Sequence, residues 1–181
     1  DIKKFFASVD QNVLIDILQE YISDPKIIGL LEKIIFSFGT NGLPLGNLTS
    51  QIFANVYLNE LDQFAKHKLK AKYYIRYADD FVILSDDKSY LENKIPVIKD
   101  YLQNKLKLIL HPDKISIKTI YSGVDFLGWI NFLDHKILRA KTKNRMLKKL
   151  KDNPSSEKVD SYLGLIKHGN TQKLRQVILM R

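Results

Sequence analysis

The chain has 181 residues, with 29 Lys and Arg against 20 Asp and Glu, and a formal net charge of +9. That length fits one domain, or one domain with a small appendage. Its 45% hydrophobic and 27% charged residues exclude a disordered or collagen-like chain, and no apolar run reaches the roughly 20 residues of a membrane helix.

There is no cysteine, which removes disulfides and thiolate metal sites and fits a reducing, cytoplasmic setting. His67, His111, His135 and His168 are scattered without metal-ligand spacing. The basic balance suits a polyanionic partner. The chain opens on Asp1 rather than Met and is expected to be a piece of a longer protein.

Residues 1–9 (DIKKFFASV) read as a strand. Residues 11–22 read as a helix burying Leu14, Ile17, Leu18 and Tyr21. Asp24 and Pro25 form a helix start, and the helix behind them carries Ile27, Ile28, Leu31, Ile34, Ile35 and Phe38. Residues 38–47 form a loop broken by Gly39, Gly42, Pro44 and Gly46. A third helix spans 49–67, with Phe53, Val56, Tyr57, Leu61 and Phe64 inward. KYYIRYADDFVILS (72–85) reads as a hairpin interrupted by Ala-Asp-Asp. Ser89 and Glu92 suggest a capping box for a helix over 89–107, with a stripe of Leu91, Ile95, Ile98 and Leu102. Strands follow at 114–120 and 124–130, then a short hairpin at 131–138. Beyond Arg139 come a helix over 141–152, a break at 153–157, a helix over 156–167, and a last helix from Thr171. The pattern predicts an α+β body over 1–139 and a small basic helical appendage over 140–181.

Two features carry chemistry. Asp79 and Asp80 lie side by side at the tip of an apolar hairpin, where like charges repel. Mg²⁺ would relieve that conflict, since it favours carboxylate oxygens, waters and phosphates. Alone, the pair reads as a polar turn capping a hairpin, and Asp1 alone reads as a chain end. If the strand holding Asp1 lies beside the hairpin, Asp1 and Asp79 face one metal pair, the arrangement that clamps a phosphoryl transfer.

Residues 1–10 (DIKKFFASVD) resemble motif A of reverse transcriptases, and Tyr77-Ala78-Asp79-Asp80 resembles their motif C. Between them, residues 42–58 (GLPLGNLTSQIFANVYL) resemble motif B. Residues 108–114 (LILHPDK) resemble motif D, and Phe126-Leu127-Gly128-Trp129 resembles the primer grip. All occur in family order over residues 1–130. The similarity is to prokaryotic enzymes of the retron, group II intron and diversity-generating retroelement kind. Leu45 before Gly46 and Gln51 after Ser50 depart from the commoner motif B and are similar to the last of these. Residues 161–164 and 167–170 resemble the thumb of those enzymes.

The resemblance implies a right-hand polymerase palm over 1–139, an antiparallel sheet with helices on one face, and a helical thumb over 140–181. It implies RNA-directed DNA synthesis from dNTPs. Asp1, Asp79 and the Ile2 carbonyl would hold two Mg²⁺ ions, with Asp80 assisting. Phe6 stands at the steric-gate position, where a bulky ring excludes the ribose 2′-hydroxyl that distinguishes RNA from DNA. Lys114 stands where a general acid would serve pyrophosphate departure. Leu45 and Gly46 would meet the nucleotide, and the apolar Leu45 is expected to lower fidelity. Phe126, Leu127, Gly128 and Trp129 would hold the primer. Lys141, Arg145, Lys148 and Lys149 share one helix face, which suits duplex phosphates and equally a solvated face.

Expected partners are an RNA template, a DNA or RNA primer, dNTPs and an accessory protein, with no membrane. The fingers that hold the triphosphate in this family lie upstream of motif A. These 181 residues alone are therefore expected to be inactive and prone to self-association through uncovered apolar surface. The competing readings are a non-catalytic nucleic-acid-binding module and a template-independent, defence-type polymerase.

Overall fold

A computed structural model describes residues 1–152 and 155–179. They form an α+β structure of two compact units, Asp1–Ile117 and Lys118 onward.

In the first unit the expected strand over 1–9 is one β-bridge followed by a turn. Ile2 faces Leu110 in an antiparallel bridge. It is flanked by bonds from the Lys3 amide to the Ile109 carbonyl (2.8 Å) and from the His111 amide to the Asp1 carbonyl (3.0 Å). At Lys4 the backbone turns left-handed (φ 48°), and helix α1 (Phe5–Ser8) begins. The turn sends Phe5 into the core and leaves Phe6 half-buried beside it. The rings meet edge to face, 5.2 Å apart.

Helix α2 (Gln11–Tyr21) starts where the Asp10 carboxylate accepts from the Asn12 and Val13 amides. Helix α3 (Pro25–Phe36) starts where Asp24 accepts from the Lys26 amide. These caps satisfy amides that a helix start leaves unpaired. Leu14, Ile17, Leu18, Ile28 and Ile35 are buried as expected, whereas Tyr21 and Ile27 are exposed. Helix α4 (Leu48–Gln63) runs on into a π-helical turn, Phe64–Lys68. It buries Phe53, Tyr57 and Leu61.

Strands β1 (Tyr73–Tyr77) and β2 (Asp80–Leu84) form a two-stranded antiparallel hairpin in the expected place, with Tyr77 opposite Asp80. Helix α5 (Lys88–Lys105) is capped by Asp87, which accepts from the Tyr90 amide. The cap therefore lies ahead of the expected Ser89–Glu92 box. One apolar cluster, including Ile2, Phe5, Leu14, Phe53, Tyr57, Leu102 and Leu108, joins the segment after Asp1 to α1, α2, α4 and α5.

The strand expected over 114–120 does not form. Residues Pro112–Lys114 and Ile120–Ser122 are single 3₁₀ turns instead. A strand needs a partner for its backbone groups, and the neighbouring strands pair among themselves. The strand expected over 124–130 is two strands, β3 (Val124–Phe126) and β4 (Trp129–Asn131), joined by a two-residue turn. β5 (Lys136–Leu138) pairs with β4 and completes an antiparallel meander, so the hairpin expected over 131–138 is present.

Helices α6 (Ala140–Asp152), α7 (Ser156–Ile166) and α8 (Gln172–Leu179) follow. Of the expected break at 153–157, residues 153 and 154 lie outside the described residues. Trp129 and Leu138 of the meander share a core with Met146, Leu150, Ile166 and Ile178 of the helices.

Tyr57 is buried and donates from its hydroxyl to the Leu106 carbonyl at 2.7 Å. Tyr57→Phe removes that bond and no packing. It is expected to lower stability by about 1 kcal/mol in chemical unfolding; an unchanged midpoint would show that the bond contributes nothing.

Candidate active site

The site is built from the bridge at Asp1, the β1–β2 turn and the loop before α4. All three belong to the first compact unit. The bridge bonds fix Asp1 and Lys3 through the Asp1 carbonyl and the Lys3 amide, and neither uses the Ile2 carbonyl. The Asp1 side chain is 16% exposed and ion-paired with Lys114, whose side chain is 53% exposed.

Asp80 and Asp79 lie near enough to the backbone nitrogen of Asp1 to act on it electrostatically. The approach is not made by a strand ladder as expected, because the bridge partner of Ile2 is Leu110 and β1 pairs only with β2. Among the described residues neither Asp79 nor Asp80 has an ion-pair partner.

The turn between β1 and β2 consists of Ala78 and Asp79 alone. Ala78 has φ 50°, the left-handed region that L-residues avoid. Arg76 on β1 donates from Nη1 to the Ala78 carbonyl at 3.0 Å. The same guanidinium donates from Nε (2.7 Å) and Nη2 (2.5 Å) to the two carboxylate oxygens of Asp62 on α4. Tyr74 adds a 2.7 Å hydroxyl bond to Asp62. Burial lowers the Arg76 pKa, but the hydrogen bonds and charge of Asp62 outweigh it and hold the guanidinium above its ordinary value.

The third part is the 38–47 loop. The Leu43 amide donates to the Phe6 carbonyl (2.6 Å), and the Gly42 amide donates to the Val9 carbonyl (2.9 Å). Buried Gln11 adds a clamp, donating from Nε2 to the carbonyls of Gly42 (2.9 Å) and Ile35 (3.2 Å). Gly42 has φ 80°, and a Cβ there would lie 2.8 Å from the Phe6 carbonyl oxygen. Gly46 has φ 93° and open space around it, and Leu45 beside it is 78% exposed. Ser50 is buried.

As metal donors, the Asp1, Asp79 and Asp80 carboxylates and the Ile2 carbonyl offer the hard oxygen set that Mg²⁺ prefers. Among the described residues no group of three or more acidic or imidazole side chains is already gathered to hold an ion, and Lys114 occupies Asp1. The donors fit Mg²⁺ in kind, and substrate phosphates would have to complete the shell.

Residues 1–131 match the family model described as "Reverse transcriptase (RNA-dependent DNA polymerase)". The chain belongs to the reverse transcriptase family. It is 26% identical to Protein YkfC of Escherichia coli K12, across 79% of this chain and 47% of that protein. It is 24% identical to the Putative COX1/OXI3 intron 2 protein of Saccharomyces cerevisiae, across 71% and 23%. It is also 24% identical to the Group II intron-encoded protein LtrA of Lactococcus lactis, across 80% and 35%. The chain therefore spans less than half the length of these relatives. The mixture of helices and small antiparallel sheets agrees with the expected palm and thumb, and no helix among the described residues is long and apolar enough to cross a membrane.

In this reverse transcriptase chain the remaining expected residues lie in the second unit. Leu127 and Gly128 form the β3–β4 turn with φ 54° and 82°, the backbone of a type I′ hairpin. Phe126 closes β3 opposite Trp129. Trp129 is a core residue with the Lys136 ammonium over its ring at 5.3 Å, while Tyr121 is 77% exposed. Lys141, Arg145, Lys148 and Lys149 are exposed on α6. Sequence reading missed Gln11, Asp62 and Arg76. For Arg76 there was a signal: an arginine at an inward position of an apolar strand, beside the paired aspartates.

Gly42→Ala and Gly46→Ala both place a side chain on left-handed backbone, at roughly 1–2 kcal/mol. Only Gly42→Ala also drives a Cβ into the backbone at Phe6. Chemical unfolding is expected to show Gly42→Ala as clearly the more destabilising; equal losses would mean that the loop does not press on α1.

Proposed function

We propose that this protein is an RNA-directed DNA polymerase, joining dNTPs to a primer 3′-hydroxyl on an RNA template. What supports this reading is that Asp1, ion-paired with Lys114, has the acidic β1–β2 turn within electrostatic reach of its backbone nitrogen, all within the residues that match the family. Asp1, Asp79 and the Ile2 carbonyl would hold two Mg²⁺ ions, with Asp80 alongside. When bound, the ions neutralise phosphate charge and activate the primer hydroxyl.

The chain's own residues do the rest by positioning and charge. Phe6 excludes the ribose 2′-hydroxyl from the sugar pocket. The Leu43 amide holds the Phe6 carbonyl, so the motif B loop sets where that ring stands. Lys114, ion-paired with Asp1, would serve as the general acid for departing pyrophosphate. Exposed Leu45 and open Gly46 let the nucleotide approach the backbone, and Leu45 favours a kinship with diversity-generating retroelement enzymes. The Phe126–Trp129 hairpin would hold the primer end. The α6 cations would track duplex phosphates in a salt-dependent way, in a thumb over 140–181. An accessory protein completes the reading.

The test is primer extension by the full-length protein carrying these residues, with Mg²⁺, dNTPs, and RNA, DNA or no template. Wild type is expected to extend on RNA, and Asp79→Asn to lose activity by at least about a hundredfold, in line with loss of a major transition-state charge contact. Phe6→Ala is expected to admit ribonucleotides. Extension without template would favour the template-independent polymerase. Template binding without extension would favour the non-catalytic module.

A further inference from the structure

We propose that Arg76, braced by Asp62, is a positioning residue that sets the orientation of the Ala78–Asp79 turn from helix α4. The inference rests on the polymerase reading for its effect on rate, and on geometry alone for its effect on the turn.

Arg76 lies on the inward face of β1 and its side chain is only 10% exposed, against 25% for Asp62. A buried guanidinium is costly unless its donors are engaged. Here they are, and in two directions. Nε and Nη2 grip both carboxylate oxygens of Asp62, the bidentate geometry that fixes orientation as well as distance. Nη1 reaches the Ala78 carbonyl, with a longer 3.5 Å contact to Asn55 Oδ1.

The Ala78 carbonyl belongs to the peptide plane that joins Ala78 to Asp79. Fixing that oxygen fixes the plane, and the plane sets the direction in which Asp79 leaves the turn. Ala78 is in the left-handed region, a conformation that persists only where surroundings over-determine it. Arg76 supplies that determination.

Asp62 lies near the end of α4, and α4 begins at Leu48, directly after Leu45 and Gly46. One rigid helix, about 21 Å from Leu48 to Asp62 at 1.5 Å per residue, thus links the motif B loop to the acidic turn. Tyr74 donates to Asp62 as well but does not touch the turn. That makes Tyr74→Phe the control.

The experiment compares Arg76→Lys, Arg76→Met, Asp62→Asn and Tyr74→Phe with wild type in the full-length protein. It reads amide hydrogen exchange at Ala78, Asp79 and Asp80, the Mg²⁺ concentration for half-maximal extension, and kcat and KM for dNTP. Arg76→Lys keeps the charge and loses the fork. It is expected to speed exchange at the turn at least tenfold, raise the Mg²⁺ requirement several-fold and lower kcat about tenfold, with KM for dNTP unchanged. Arg76→Met is expected to do more and Tyr74→Phe little. Should Arg76→Met fail to fold, Arg76→Lys and Asp62→Asn decide. Unchanged exchange at the turn in folded Arg76→Lys overturns the proposal. So does a rate loss matched by Tyr74→Phe, because that would be general destabilisation. If wild type does not extend any primer, the polymerase reading fails, and the exchange rates still decide the positioning role.

Discussion

Like charges repel, and residues 1–117 set Asp79 and Asp80 side by side, with the backbone nitrogen of Asp1 within their electrostatic reach. Asp1 is pinned from behind by the Ile2–Leu110 bridge, whose two side chains are buried. Asp79 and Asp80 are pinned by a two-residue turn with strained backbone. Two cations moderate the repulsion differently. Lys114 pairs with Asp1 and remains half in solvent, where a partner is easily exchanged. Arg76 is neutralised by Asp62 and acts on the turn through a carbonyl. Negative charge therefore stays concentrated at Asp79 and Asp80, which suits a hard divalent cation and a triphosphate arriving together.

The second constraint is the backbone contact between the 38–47 loop and α1. Its bonds run from Leu43 and Gly42 to the carbonyls of Phe6 and Val9. Only glycine tolerates the approach at position 42. Gln11 then closes the loop from the α2 side. Phe6 and the 38–47 loop are thus strapped together through backbone bonds.

Much of this was legible in the chain. The long helices follow the 3.6-residue spacing of their apolar residues, and the β1–β2 hairpin follows its β-branched and aromatic pattern. The ordered motifs pointed to the family that residues 1–131 match. The failures have physical causes. Residues 5–8 carry the apolar content of a strand, but the left-handed turn at Lys4 has no glycine to announce it. Ser89–Glu92 has the spacing of a capping box, yet Asp87 stands two residues earlier and captures the Tyr90 amide first. Residues 114–120 have strand composition, but no strand of either sheet pairs with them. Leu127 at a left-handed turn position hid the break between β3 and β4. The tethers of Gln11 and Arg76 span 31 and 14 residues, and such pairings depend on the fold rather than on local pattern.

We propose that Asp1 and Asp79, from separate segments, hold metal together once phosphates arrive. Mn²⁺ in place of Mg²⁺ makes that directly measurable by electron paramagnetic resonance. The full-length protein would be titrated with Mn²⁺ alone, then with dNTP and a chain-terminated primer on an RNA template. The account predicts weak binding alone, two tightly bound ions in the complete mixture, and loss of tight binding in both Asp1→Asn and Asp79→Asn. Tight binding that survives either substitution would contradict it.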